Sequence, residues 1–139
     1  MIEDGRLERR PYNGNSYVLG QDGDDVVTLT GDDISGVFGG AGEDVITITG
    51  DNVNHAYGGE GDDNITITGE NARHIFGDDD DDSIIIYGDN PDTIIGGGGE
   101  DTIIIYGDNP ATIRGGGDDD DSCSIHGLVT QCFEELARY

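Results

Sequence analysis

An aspartate returns at every nineteenth position along most of this chain: Asp25, Asp44, Asp63, Asp82, Asp101 and Asp120. Each closes a glycine-rich hexapeptide, of which Gly39-Gly-Ala-Gly-Glu-Asp44, Gly58-Gly-Glu-Gly-Asp-Asp63 and Gly96-Gly-Gly-Gly-Glu-Asp101 are the clearest. Carboxylates supply hard anionic oxygen. Glycines let the backbone take positive φ and turn its carbonyl oxygens toward one point, here around Gly40, Gly42, Gly59, Gly61, Gly97 and Gly99. Such oxygens together suit a hard divalent cation. Calcium tolerates an irregular oxygen shell, whereas magnesium demands an octahedron and keeps its waters. No cysteine–histidine cluster suits zinc. Gly77-Asp-Asp-Asp-Asp-Asp82 departs from the pattern by replacing two glycines with aspartate. One extra residue before Ser122 leaves Asp121 as a rival to Asp120 for the sixth place.

The elements that must position these turns are legible in the rest of the repeat. Residues 36–54, 55–73, 74–92 and 93–111 are successive copies, with a looser one at 17–35 and a degraded one from Thr112. A fixed period of this size means stacked repeats, each burying its apolar side chains against its neighbours. Asp44-Val-Ile-Thr-Ile-Thr49 alternates with period two and is rich in β-branched residues, the pattern of a strand with Ile46 and Ile48 inward and Val45, Thr47 and Thr49 outward. Gly50-Asp-Asn52 is a turn. A second strand carries the column Val18, Val37, Ala56, Ile75, Ile94, Ile113. The expected fold is an all-β, right-handed parallel β-roll (a β-solenoid) of about six 19-residue coils. Residues 1–16 form an N-terminal cap or leader, 17–130 the repeats, and 131–139 a short C-terminal helical cap through Phe133, Leu136 and Ala137.

Stacking spaces the aspartates about 4.8 Å apart. At an effective dielectric near 20, each adjacent pair repels by roughly 3–4 kcal/mol. Five such pairs exceed a typical stability of order 10 kcal/mol, so a cation between them is expected. The whole chain agrees: 31 acids against 6 bases give a formal charge of -25. Nucleic acid and anionic membranes are repelled by such a surface. No apolar stretch reaches the length of a membrane span, and the first ten residues lack the apolar core of a signal peptide.

These turns resemble the nonapeptide Gly-Gly-x-Gly-x-Asp-x-(apolar)-x of the RTX, or haemolysin-type, calcium-binding repeats. The likeness covers about 110 of the 139 residues. The usual RTX coil has two such nonapeptides. Here the second turn is Gly-Asp-Asn (Gly50–Asn52, Gly88–Asn90, Gly107–Asn109) or Gly-Glu-Asn (Gly69–Asn71). That is similar to the 19-residue variant in giant bacterial adhesins, where calcium lines one edge. The resemblance implies about five calcium ions along the first-turn edge, held by Asp25, Asp44, Asp63, Asp82, Asp101 and Asp120 with the turn backbone. It also implies a secreted or cell-surface bacterial protein, exported unfolded by a type I system and folded by calcium outside.

Other columns carry less. Asn52, Asn71, Asn90 and Asn109 read as an amide ladder, with Asp51, Glu70, Asp89 and Asp108 facing solvent. Thr28, Thr47 and Thr66 beside Thr30, Thr49 and Thr68 form an outward array. With Tyr87 and Tyr106 it supports a rival reading, a surface-binding protein for ice, mineral or polysaccharide. Ile85, Tyr87, Ile104 and Tyr106 make an apolar patch, read as a seat for the C-terminal segment. A homo-oligomer or adjoining domains of a larger protein are the other expected partners. His55 and His74 stack, but their column continues as Thr93 and Thr112 and is not read as a metal site. Cys123 and Cys132 allow a short disulfide loop outside the cell, or two buried thiols in an end cap. Every acid in the repeats belongs to a repeat column and no Ser/His/Asp arrangement recurs, so no enzyme is expected.

Overall fold

Each copy of the repeat folds into one coil with two strands, and strands of equal rank stack in parallel into two sheets. The computed structural model describes residues 6–11, 17–117, 120–125 and 128–130. The first sheet contains β1 (Arg6–Pro11), β3 (Val26–Thr30), β5 (Val45–Thr49), β7 (Asn64–Ile67), β9 (Ser83–Ile86), β11 (Thr102–Ile105), β13 (Ser122–Ile125) and β14 (Leu128–Thr130), in that order. The second contains β2 (Tyr17–Asp22), β4 (Gly36–Ala41), β6 (Ala56–Glu60), β8 (Ile75–Asp79), β10 (Thr93–Gly98) and β12 (Thr112–Gly116). The protein is thus an all-β parallel solenoid of about six coils. No helix occurs among the described residues, so none there crosses a membrane.

The register follows the period. Val27 pairs with Ile46, Ile46 with Ile65, Ile65 with Ile84 and Ile84 with Ile103. The ends break step: Ile103 pairs with Cys123, and Leu7 with Val27, each twenty residues on. Alternation sends one side chain in two to the interior. The core is a thin double layer of columns such as Val27, Ile46, Ile65, Ile84, Ile103 from one sheet and Val37, Ala56, Ile75, Ile94 from the other, all buried.

The ends differ from the coils between them. Part of the 1–16 segment, which carries no repeat, still forms a rung, because β1 pairs in parallel with β3. At the other end β14 turns back antiparallel to β13 and ends the parallel ladder. Cys123 is buried at the end of the isoleucine column and is disulfide-bonded. The helical cap expected at 131–139, and Cys132 with it, lie outside the described residues.

The second turn explains its asparagines. Asp33, Asn52, Asn71, Asn90 and Asn109 all adopt left-handed backbone, with φ between 56° and 60°. Asparagine and aspartate tolerate that conformation best among residues with a side chain. The amides also form the expected ladder: Nδ2 of Asn52, Asn71, Asn90 and Asn109 donates to the side-chain oxygen of the preceding coil at 2.9–3.5 Å. The acids beside them do more than face solvent, since Oδ1 of Asp32, Asp51 and Asp89 accepts the N–H of Asp51, Glu70 and Asp108. Asn71→Ala should cost about 2 kcal/mol, from the left-handed backbone and the lost amide bonds. Asn71→Gly should recover the backbone part. Urea midpoints check this; equal losses in both variants would remove the backbone from the account.

From β3 to β13 the outward positions of the first sheet carry no acid, whereas in the second sheet Asp22, Glu60, Asp78 and Asp79 fall at the strand ends beside the first turn. On the second sheet an aromatic column stands out that the strand pattern alone did not flag: Phe38, Tyr57 and Phe76 stack at 5.0 and 5.1 Å with planes within 8°. His55 and His74 stack beside them at 5.0 Å. On the first sheet Tyr87 and Tyr106 stack at 4.8 Å and are half exposed. Rings stacked this way turn their faces to one another and their edges outward.

Candidate functional site

The first turn brings the periodic aspartates inside the roll. Asp25, Asp44, Asp63, Asp82 and Asp101 are 0–3 % exposed. Strand alternation accounts for this: with Ile46 and Ile48 inward, the residue two before Ile46 is Asp44, and it points inward as well.

The carboxylate fits because the first glycine of each turn faces it. Gly39, Gly58, Gly77 and Gly96 are buried, and a Cβ added to any of them would fall on the Oδ2 of Asp44, Asp63, Asp82 or Asp101. At Gly39 and Gly58 the same Cβ would also lie 2.6 Å from the carbonyl oxygen of Gly58 and Gly77. These glycines are required by space. The second and fourth are required by conformation, with φ of 124° at Gly40, 129° at Gly59 and 136° at Gly97, and of 132°, 110° and 114° at Gly42, Gly61 and Gly99. Both demands fall on one motif.

The sixth place in the column belongs to Asp121, and the period's assignment of Asp120 is corrected. The Asp101 N–H donates to Asp121 Oδ1 at 2.8 Å, Gly115 lies against Asp121, and Asp120 is exposed. Strand pairing decides this. Thr102 pairs with Ser122, so the residue before Ser122 takes the inward place and the extra residue is absorbed in the turn.

The column is tied together through one oxygen of each carboxylate. The N–H groups of Asp25, Asp44, Asp63 and Asp82 donate to Oδ1 of Asp44, Asp63, Asp82 and Asp101 at 2.7–2.9 Å. A second column points the other way, because Oδ1 of Asp24, Asp62 and Asp81 accepts the N–H of Glu43, Asp81 and Glu100 in the following coil.

The other carboxylate oxygen has no such use. Oδ2 of Asp44, Asp63, Asp82 and Asp121 is buried and has no hydrogen-bond partner. A buried anionic oxygen in that state is costly unless it is neutralised. Burial pushes the Asp63 carboxyl up to about 7 and that of Asp82 up to about 8. The N–H of the preceding aspartate pulls each back, and neighbouring acids push each further up. Asp44 is raised for the same reasons.

Two neutralisers suit this column, a proton on Oδ2 or a cation. The donor set is all oxygen and partly anionic, which fits a hard cation in kind. Among the described residues no three acidic, histidine or cysteine side chains gather at one point to hold a metal. An ion at this edge would therefore take part of its shell from turn carbonyls, as the glycine pattern suggests. The asparagine edge presents no comparable column of buried acids among the described residues. Compared with known proteins, the chain matches no family model, no curated protein and no solved structure.

Proposed function

We propose that this protein is a calcium-binding β-roll of the RTX kind, whose ions line the glycine–aspartate edge and couple binding to folding. The observation that carries the reading is the row of buried Oδ2 atoms without hydrogen-bond partners, on one edge of the roll. Asp25, Asp44, Asp63, Asp82, Asp101 and Asp121 would hold about five ions between adjacent coils, together with first-turn carbonyls. Calcium would supply positive charge where the fold buries negative charge, and nothing catalytic is asked of it.

The chain's own residues set the rest. The first-column glycines admit the carboxylates, the N–H groups orient them through Oδ1, and the isoleucine columns hold the turns in step. A thin core stabilises little by itself, so ions that bind the folded state alone shift the equilibrium by mass action. We read the molecule as a structural, secretion-linked module of an exported bacterial protein and not as an enzyme. It would stay unfolded where calcium is scarce and fold outside the cell.

Far-ultraviolet circular dichroism with chelator and then with millimolar calcium tests this. The β signal and a cooperative melt are expected only with calcium. Identical spectra and melting temperatures in both states at pH 8 would sink the reading.

A further inference from the structure

The first sheet turns an uncharged plane outward. In a chain with 31 acids, the outward positions from β3 to β13 hold only valine, threonine, isoleucine, tyrosine, serine and asparagine. Parallel register sets these side chains in straight rows along the stack. The middle row runs Thr28, Thr47, Thr66, Ile85, Ile104. The rows beside it hold Val26 and Val45 on one flank and Tyr87 and Tyr106 on the other, all four 39–50 % exposed. Acids line both turn edges and the strand ends of the second sheet. Two chains of formal charge -25 repel through those surfaces, and the first-sheet plane is where that repulsion is weakest.

The plane also matches itself. Its rows are ridges about 6.6 Å apart, two residues along the strand. A second copy turned over onto it has the same spacing, so ridges of one enter the grooves of the other. A sugar finds less to hold, because Tyr87 and Tyr106 stack on one another and turn ring edges outward, not ring faces.

We propose that this face is the contact surface of a reversible homodimer, first sheet on first sheet, about a two-fold axis that leaves the two stacks antiparallel. The axis falls between β7 and β9, the middle pair of the six strands from β3 to β13. Each copy then lays Ile85 and Tyr87 on the threonine rows of the other, as an isologous contact requires. Acids of both copies stay at the rim, in water. Six strands and five residues per strand give a plane of roughly 29 by 16 Å. That is below the about 800 Å² per partner of a standard interface, so the pair is weak and depends on concentration. The pairing needs the folded roll, whatever neutralises its aspartates, and so does not rest on the calcium reading.

Sedimentation equilibrium of the full chain, from micromolar to millimolar and under conditions where circular dichroism shows the β signal, tests this. The mass should rise from one chain toward two and stop there. Thr66→Glu should weaken the dimer at least about tenfold, because each copy would bury an unpaired carboxylate in the contact. Thr49→Glu, at a more exposed position of the same face, takes its place if Thr66→Glu lacks the β signal. Leu19→Glu adds the same charge to the outward side of the second sheet, where Leu19 is exposed, and should leave the dimer unchanged. Equal weakening by Leu19→Glu and Thr66→Glu would overturn the assignment of the face. Growth beyond two chains would overturn the closed pair. A single chain at every concentration means that the plane has another occupant, the chain's own 131–139 segment or a neutral polymer such as dextran, and overturns the proposal.

Discussion

Acidifying the metal-free protein from pH 8 to pH 5 should fold it without calcium. An aspartate in the unfolded chain titrates near 3.9, whereas in the folded roll burial raises Asp63 to about 7 and Asp82 to about 8. The folded state therefore binds more protons than the unfolded state between those values. Stability from these groups is fully present below the unfolded pKa and is lost as pH rises through 7 to 8. Each group changes stability by up to about 1.4 kcal/mol per pH unit inside that window. Protons and calcium then act as alternatives at the same oxygens. Calcium binding near pH 7 should release protons, and acid should weaken calcium affinity even while it stabilises the metal-free roll. Melting temperatures in metal-free buffer across this range check the sign. A melting temperature that falls on going from pH 8 to pH 5 would show that the buried carboxylates are neutralised in some other way.

Gly58→Ala should be a severely destabilising single methyl. The new Cβ would fall on Asp63 Oδ2 and stand 2.6 Å from the Gly77 carbonyl oxygen, in the middle of the stack where neither neighbour can move away. Overpacking commonly costs 1–3 kcal/mol. Here it also displaces the carboxylate that caps the Asp44 N–H, so a loss of about 3 kcal/mol or more is expected. Gly98→Ala is the matched control, because the nearest atom to its Cβ is the Asp78 carbonyl oxygen at 4.0 Å. It should change stability by less than about 0.5 kcal/mol. Urea unfolding of the two variants in saturating calcium compares them. Similar midpoints would mean that the first glycine column is not a socket for aspartate.

The repeat made the architecture legible because position in a stack is fixed by counting. Ile46 and Ile48 inward, Val45 and Thr49 outward, and an amide ladder at Asn52 and Asn71 all follow from period and alternation, and the structure has them. Counting failed where spacing changed. Asp120 keeps the 19-residue period, but strand pairing at Ser122 overrides it and selects Asp121. The two kinds of glycine were also hidden, since Gly39 and Gly40 are the same letter under different constraints, space alone for Gly39 and positive φ as well as space for Gly40. The aromatic column was present in the letters as Phe38, Tyr57 and Phe76, nineteen apart. Alternation places these rings outward beside the buried Val37, Ala56 and Ile75, but period alone does not say that outward side chains stack on one another.

The two aspartate columns of the first turn reach in opposite directions along the stack, one toward the preceding coil and one toward the following coil. The junctions at Asp25–Asp44, Asp63–Asp82 and Asp82–Asp101 are therefore clasped from both sides by the same pair of bridges. The length of such a molecule can be changed by whole coils, as in a ruler marked in steps of 19 residues, and an odd residue keeps the clasp only where a turn absorbs it, as before Asp121.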